Sequence, residues 1–320
     1  MNEILKRVSD IGIIPVIAFN SVEEAVPLCK ALVAGGLPAA EVTFRTACAE
    51  DCIRTIAKEV PEMLLGAGTV LTKEQADRAM DAGASFIVAP GYDPNVTRHV
   101  IERGGLMMPG TATAGEMQQA MNQGCEVLKF FPAEANGGVA MLKNIGAALK
   151  TAKWMCTGGV NAKNVNDYLG YDQIIAVGGT WMCKGDMIKA GEWDKITALC
   201  KEAVKTMLGF SVLHVGVNCG SPEEGAKAAK AFCALFGWEY KQGNSSDFAG
   251  SFVECMKKPG ARGANGHIAV GTNSVDRAEY HLGRQGVKFI EESRVTDAKG
   301  TKALYLQDEI GGFAVHLVRK

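Results

Sequence analysis

Short apolar runs alternate with helical patterns from Ile13 to about residue 208, and no other feature limits the possible folds as much. The runs cover residues 13–19, 40–45, 64–70, 85–91, 106–110, 126–132, 154–160 and 174–180. Each is short, and most contain or adjoin glycine or proline, as buried strands do. The segment after the first run opens on Asn20-Ser21 with Glu23 and Glu24 behind it, a helix start. Eight strands, each followed by a helix, predict an α/β chain built as a (β/α)8 TIM barrel. A doubly wound parallel sheet is the competing arrangement.

The chain has 320 residues and a net charge of −1, so nothing in its charge balance draws it to nucleic acid or an acidic membrane surface. No apolar run approaches the ~20 residues of a spanning helix. Residues 2–7 pass directly into a helical pattern without a signal-peptide layout. The ten cysteines are scattered through apolar segments with no Cys-x-x-Cys pair. Free thiols in a reducing cytoplasm are therefore expected. His99 stands alone before residue 208, whereas His214, His267, His281 and His316 follow it. Charge also turns from net acidic to net basic there, which predicts a barrel over 1–208 and a second domain over 211–320.

Catalytic groups of such a barrel gather at the C-terminal ends of its strands. Lys129 lies within the apolar run Val127-Leu128-Lys129-Phe130-Phe131-Pro132. A lysine there can snorkel to solvent, pair with a carboxylate, or stay neutral and attack carbonyls. Glu41, Thr43 and Arg45 alternate along the second run and so share one face. Turned inward, they place a carboxylate, a hydroxyl and a guanidinium in the barrel mouth. Thr69 closes the third run after Gly66-Ala67-Gly68. Thr157-Gly158-Gly159 and Gly178-Gly179-Thr180 close the seventh and eighth, where barrels often bind phosphate through backbone N–H groups. Taken singly, such glycine pairs are more often plain tight turns.

These segments resemble the 2-keto-3-deoxy-6-phosphogluconate (KDPG) / 4-hydroxy-2-oxoglutarate (KHG) aldolase family. The matching text is Glu41-Val42-Thr43-Phe44-Arg45-Thr46, Gly66-Ala67-Gly68-Thr69-Val70, Pro90-Gly91, Lys129 to Glu134, Thr157-Gly158-Gly159-Val160 and Gly178-Gly179, in family order. The resemblance implies a class I aldolase acting on a keto acid without metal or other cofactor, often as a homotrimer. It implies that Lys129 forms a Schiff base with pyruvate and that Glu41 is the general acid/base. Arg45 and Thr69 would hold the pyruvate carboxylate, with Phe131 and Pro90 walling the pocket. The glycine pairs and Thr180 would hold the distal phosphate. Where some members carry an arginine in the first strand this chain has Ile17-Ala18-Phe19, so phosphate binding is expected to lean on backbone groups. The galactonate-derived isomer of the substrate is an alternative that the residues leave open.

Beyond residue 210 the pattern is a smaller α+β domain. A strand is expected at 210–218, a helix from Ser221-Pro222, and strands at 238–242 and 251–257. A second round follows, with strands at 266–272, 287–291, 302–306 and 313–319 around a helix at 276–284. This βαββ-like duplication, with His214-Val215-Gly216-Val217 echoed by His267-Ile268-Ala269-Val270, resembles the glyoxalase/vicinal-oxygen-chelate superfamily. The resemblance implies metal-ligand candidates His214, Glu254, His267 and His316, and with them a metal-dependent activity. Lone strand histidines are more often packed side chains. A domain that packs on the barrel, helps assembly or binds a small ligand is the leading expectation.

Overall fold

The computed structural model describes residues 2–258 and 262–320, which divide into two compact units, Met1–Met207 and Leu208–Lys320. The first unit is an all-parallel sheet of strands β1 Ile13–Ile17, β2 Ala39–Thr43, β3 Leu64–Gly68, β4 Phe86–Val88, β5 Met107–Met108, β6 Gly110–Thr111, β7 Leu128–Phe130, β8 Trp154–Thr157 and β9 Ile174–Gly179. β1 pairs with both β2 and β9, so the sheet curls around on itself. The fifth strand of the expected barrel is split into β5 and β6 at Pro109. Proline has no N–H to give to a ladder. β5 accordingly continues the pairing with β4, while β6 starts afresh with β7. The result is a nearly closed TIM barrel.

The strands are buried along their whole length in β2, β3, β7, β8 and β9, because helices cover the outside and side chains fill the inside. Several helices start where the sequence supplies an acceptor. Thr72 and Asp93 accept from backbone N–H groups of the next turn, and Thr113 with Glu116 forms a reciprocal capping box. The helix expected from Asn20-Ser21 differs. It begins as a 3-10 turn, Val22–Glu24, and becomes α-helical only at Ala25, with Ser21 making no side-chain cap. Two short helices, Val165–Leu169 and Gly185–Lys189, flank the eighth barrel strand β9, and Trp193–Leu208 closes the unit. No helix among the described residues is long and apolar enough to cross a membrane.

The second unit is one mixed sheet of β10 Ser211–Asn218, β11 Tyr240–Gln242, β12 Ser246–Ala249, β13 Val253–Met256, β14 Gly266–Thr272, β15 Phe289–Asp297, β16 Gly300–Leu306 and β17 Phe313–Arg319. Its order, β11-β12-β13-β10-β14-β17-β16-β15, places two equivalent halves side by side. In each half the first strand runs parallel to the last, and β10 and β14 meet antiparallel at the centre. Each half is thus βαβββ, with one strand more than the sequence pattern gave the first. The missed strand, β12, buries Ser246 and Asp247, the latter paired with Lys257 at 2.8 Å. Polar buried residues hide a strand from any search for apolar runs.

Candidate active site and a histidine cluster

Lys129 is the central residue of β7, and its Nζ lies 3.0 Å from Glu41 Oε1 on β2. Lys129 and Glu41 are 6% and 1% exposed at the side chain, so this is a buried pair. Of the outcomes open in the sequence, the structure has the lysine paired with a carboxylate and buried rather than snorkelling to solvent. Glu41 Oε2 is buried with no hydrogen-bond partner. An acceptor left unpaired at this depth is costly unless a ligand or water meets it. Glu41 also fixes the identity of a neighbour, since a Cβ at Gly68 would fall 2.2 Å from its Oε1. The Lys129 ammonium stands over the Phe131 ring, 5.2 Å from its centre, so Phe131 walls the amine.

Thr43 does not offer its hydroxyl to the mouth, because it donates to the Ile17 carbonyl at 2.9 Å and ties β2 to β1. Arg45 Nε donates to Thr69 Oγ1 at 3.1 Å, which brings together the two residues expected at a carboxylate. Thr69 is the one non-glycine residue with positive φ, +57°, among those described. That conformation costs a β-branched residue about 1–2 kcal/mol, and such strain gathers at ligand sites.

The two glycine pairs have packing reasons of their own. Gly158 and Gly159 take φ of +100° and +85°. A Cβ on Gly158 would lie 3.0 Å from the Pro132 Cα, and one on Gly159 2.5 Å from Glu134 Cγ. The pair thus lets β8 turn tightly against the chain that follows Lys129. Gly178 and Gly179 leave room for Thr157 and for the Trp181 ring. Thr157 Oγ1 itself is buried without a partner. Beside them a cavity of about 270 Å³ is lined by Val16, Thr43, Arg45, Thr180, Lys184 and Ile188, among others. Lys184 escaped the sequence reading, because a lone lysine in a loop has no pattern. A cleft of about 450 Å³ lies at the other end of the barrel, lined by Ser85, Leu106 and Glu126 just before β4, β5 and β7. It is remote from the ends of the strands that carry the chemistry.

The cysteines are free, and burial pushes the Cys29, Cys125 and Cys200 thiols up to about 12, so they are poor nucleophiles.

In the second unit, all four residues singled out as ligand candidates come together. Ligand atoms of His214 on β10, His267 on β14 and His316 on β17 lie within 4.8 Å of one another. Glu254 on β13 is 3.1 Å from His214 Nε2 and 3.0 Å from His267 Nε2. Burial raises the Glu254 carboxyl, but hydrogen bonds from His214, His267 and Ser246 outweigh it and hold the group well below the usual carboxylate range. His316 stacks on Tyr305 and its Nε2 is buried without a partner. Burial, reinforced by the His267 and His214 charges, pushes its imidazole down to about 4.

Comparison with known proteins places the first unit. The family description "KDPG and KHG aldolase" matches residues 3–199. A 2-dehydro-3-deoxy-phosphogluconate aldolase of Treponema pallidum is 40% identical over 205 residues, covering 64% of this chain and 98% of that protein. The KHG/KDPG aldolase of Escherichia coli K12 is 44% identical over 193 residues, 60% of this chain and 91% of that one. A Legionella pneumophila KDPG aldolase structure, with pyruvate captured as a covalent carbinolamine, superposes with a TM-score of 0.61 at 36% identity. That match covers 62% of this chain and 97% of the Legionella one. The chain belongs to the KDPG and KHG aldolase family.

Proposed function

We propose that the chain is a class I, Schiff-base aldolase that cleaves KDPG to pyruvate and glyceraldehyde 3-phosphate. KHG, giving pyruvate and glyoxylate, is the second substrate. The observation that carries this reading is the buried Lys129–Glu41 pair beside the Arg45–Thr69 contact. Glu41 takes a proton from the Lys129 ammonium, and the freed amine attacks the C2 ketone to give a carbinolamine. Glu41 then returns the proton to the departing hydroxyl, which leaves as water to give an iminium. Arg45 and Thr69 orient the C1 carboxylate. Glu41 takes the proton of the C4 hydroxyl as the C3–C4 bond breaks, and its electrons flow into the iminium to form an enamine. The aldehyde leaves, the enamine is protonated at C3, and water frees pyruvate and the lysine. Phe131 and Pro90 enclose the pyruvyl end, while Thr157, Gly158, Gly159, Gly178, Gly179 and Thr180 surround the distal end. The covalent carbinolamine of pyruvate in the Legionella relative supports attack of an amine on the ketone here. A homotrimer acting in the cytoplasm accords with the resemblance noted above. Pyruvate release from KDPG, its galactonate-derived isomer and KHG, assayed side by side, tests the reading. Absence of release from all three would overturn it.

A second reading concerns the glyoxalase/vicinal-oxygen-chelate-like unit, and the histidine cluster favours it. Three imidazole nitrogens and one carboxylate suit a divalent transition metal, and the orphaned His316 Nε2 needs a partner that such an ion would supply. His214, Glu254, His267 and His316 would hold it, and Ser246 orients Glu254 by a hydrogen bond. A bound ion there supplies Lewis acidity toward an oxygen of a small ligand. Metal analysis of the purified full chain tests this assignment, and a chain with no affinity for divalent ions would sink it.

A further inference from the structure

We propose that Lys184 is the residue that selects substrates carrying a distal phosphate. This inference rests on the aldolase reading above and adds the group that reads the far end of the substrate. The cavity of about 270 Å³ has Arg45 and Lys184 as its charged lining residues, with no carboxylate among them. Arg45 is already engaged with Thr69 at the pyruvyl end. Lys184 is exposed, and among the described residues it carries no ion pair and no side-chain hydrogen bond. It stands just beyond Thr180, whose carbonyl accepts from Cys183 N–H at 3.1 Å and turns the chain back over the cavity. The first strand contributes only Val16, Ile17 and Ala18 to this lining, so it supplies no cation. The glycine pairs are accounted for by close packing against Pro132, Glu134, Thr157 and Trp181. Backbone N–H groups carry no net charge to balance a phosphate dianion, and Lys184 is the lining cation that is not already engaged with Thr69. A lysine ammonium serves phosphate as a compact point charge.

A cavity lined by two cations and no carboxylate fits a keto acid that is anionic at both ends. The longer phosphorylated sugar acid reaches Lys184. The five-carbon dicarboxylate KHG ends closer to Lys129 and depends on it less.

The test compares wild type with K184A and K184R on KDPG and on KHG, together with borohydride trapping of pyruvate, which has no distal anion. K184A is expected to raise KM for KDPG by about tenfold to a hundredfold, the range of one lost charge-assisted hydrogen bond. kcat, KM for KHG and the trapping rate should stay near wild type, and K184R should recover most of the loss. Unchanged KDPG kinetics in K184A, or an equal fall on both substrates, would overturn the role of Lys184 while leaving the aldolase reading intact. A wild-type chain that cleaves KHG but no phosphorylated sugar acid would overturn the substrate assignment and this inference with it.

Discussion

Replacing Glu41 by Gln separates the two roles that this carboxylate holds. Glu41 is 1% exposed at the side chain, and the group 3.0 Å away is the Lys129 ammonium, 6% exposed. Gln keeps the shape but loses the charge and the proton acceptor. A general base of this kind contributes about 10²–10⁴ in rate, equivalent to roughly 3–5 kcal/mol of barrier. kcat for retro-aldol cleavage should fall by that factor. Borohydride trapping of pyruvate should still reach completion, because the nucleophile and the Arg45–Thr69 contact remain. Stability should fall as well, since stranding one member of a buried ion pair costs about 3–5 kcal/mol. For a unit of this size that corresponds to roughly 6–20 °C in Tm. The double variant E41Q/K129M should recover much of the lost stability with no activity, because removing both charges leaves no uncompensated ion buried in the barrel. The assays are steady-state pyruvate release, mass spectrometry after reduction, and thermal melts of the full chain. A variant that cleaves KDPG at the wild-type rate would refute the proton-transfer role. One that folds but cannot be trapped would show instead that Glu41 is needed to form the Schiff base.

Two predictions concern the second unit. Metal-stripped full chain titrated with Zn²⁺ should take up one ion, and H267A should weaken that binding by at least about tenfold, the scale on which metal sites respond to lost support. Pyruvate release should persist in chelator, and equal binding by wild type and H267A would refute the cluster as the site. In the metal-stripped chain, acid should also destabilise this unit in two stages. His316 is held at about 4 against an ordinary 6.5, so the unfolded chain takes its proton first as pH falls, and stability drops between those values by up to about 3 kcal/mol. The depressed Glu254 carboxyl adds stability above its ordinary range, and that part is lost at still lower pH. H316F should flatten the first stage in melts between pH 7 and 4, and an identical slope in both proteins would contradict it.

Most of the barrel could be read in advance because its strands are continuous apolar runs between turn residues, a signal carried by many positions at once. The break at Pro109 was harder to see, since Leu106-Met107-Met108-Pro109-Gly110 reads as one run until pairing partners are known. β12 was hidden because Ser246 and Asp247 satisfy their polarity by tertiary partners. At the site, alternation applies to Glu41 on β2, whereas Arg45 falls in the turn beyond Thr43, so its contact with Thr69 does not follow from the period of a strand. The same rule could not reveal that Thr43 would spend its hydroxyl on Ile17. The four-residue cluster of the second unit joins side chains from four strands, and only the repeat hinted that they would meet. Lys184 had no local signature, because its role depends on an empty volume bounded by other segments.

The central claim is that Lys129 is the Schiff-base nucleophile. Pyruvate added to the full chain with borohydride should leave one reduced pyruvyl group on the peptide containing Lys129. K129A should show no adduct and no pyruvate release while keeping its fold. A covalent adduct in K129A, or one mapped to another lysine in the wild type, would contradict the account.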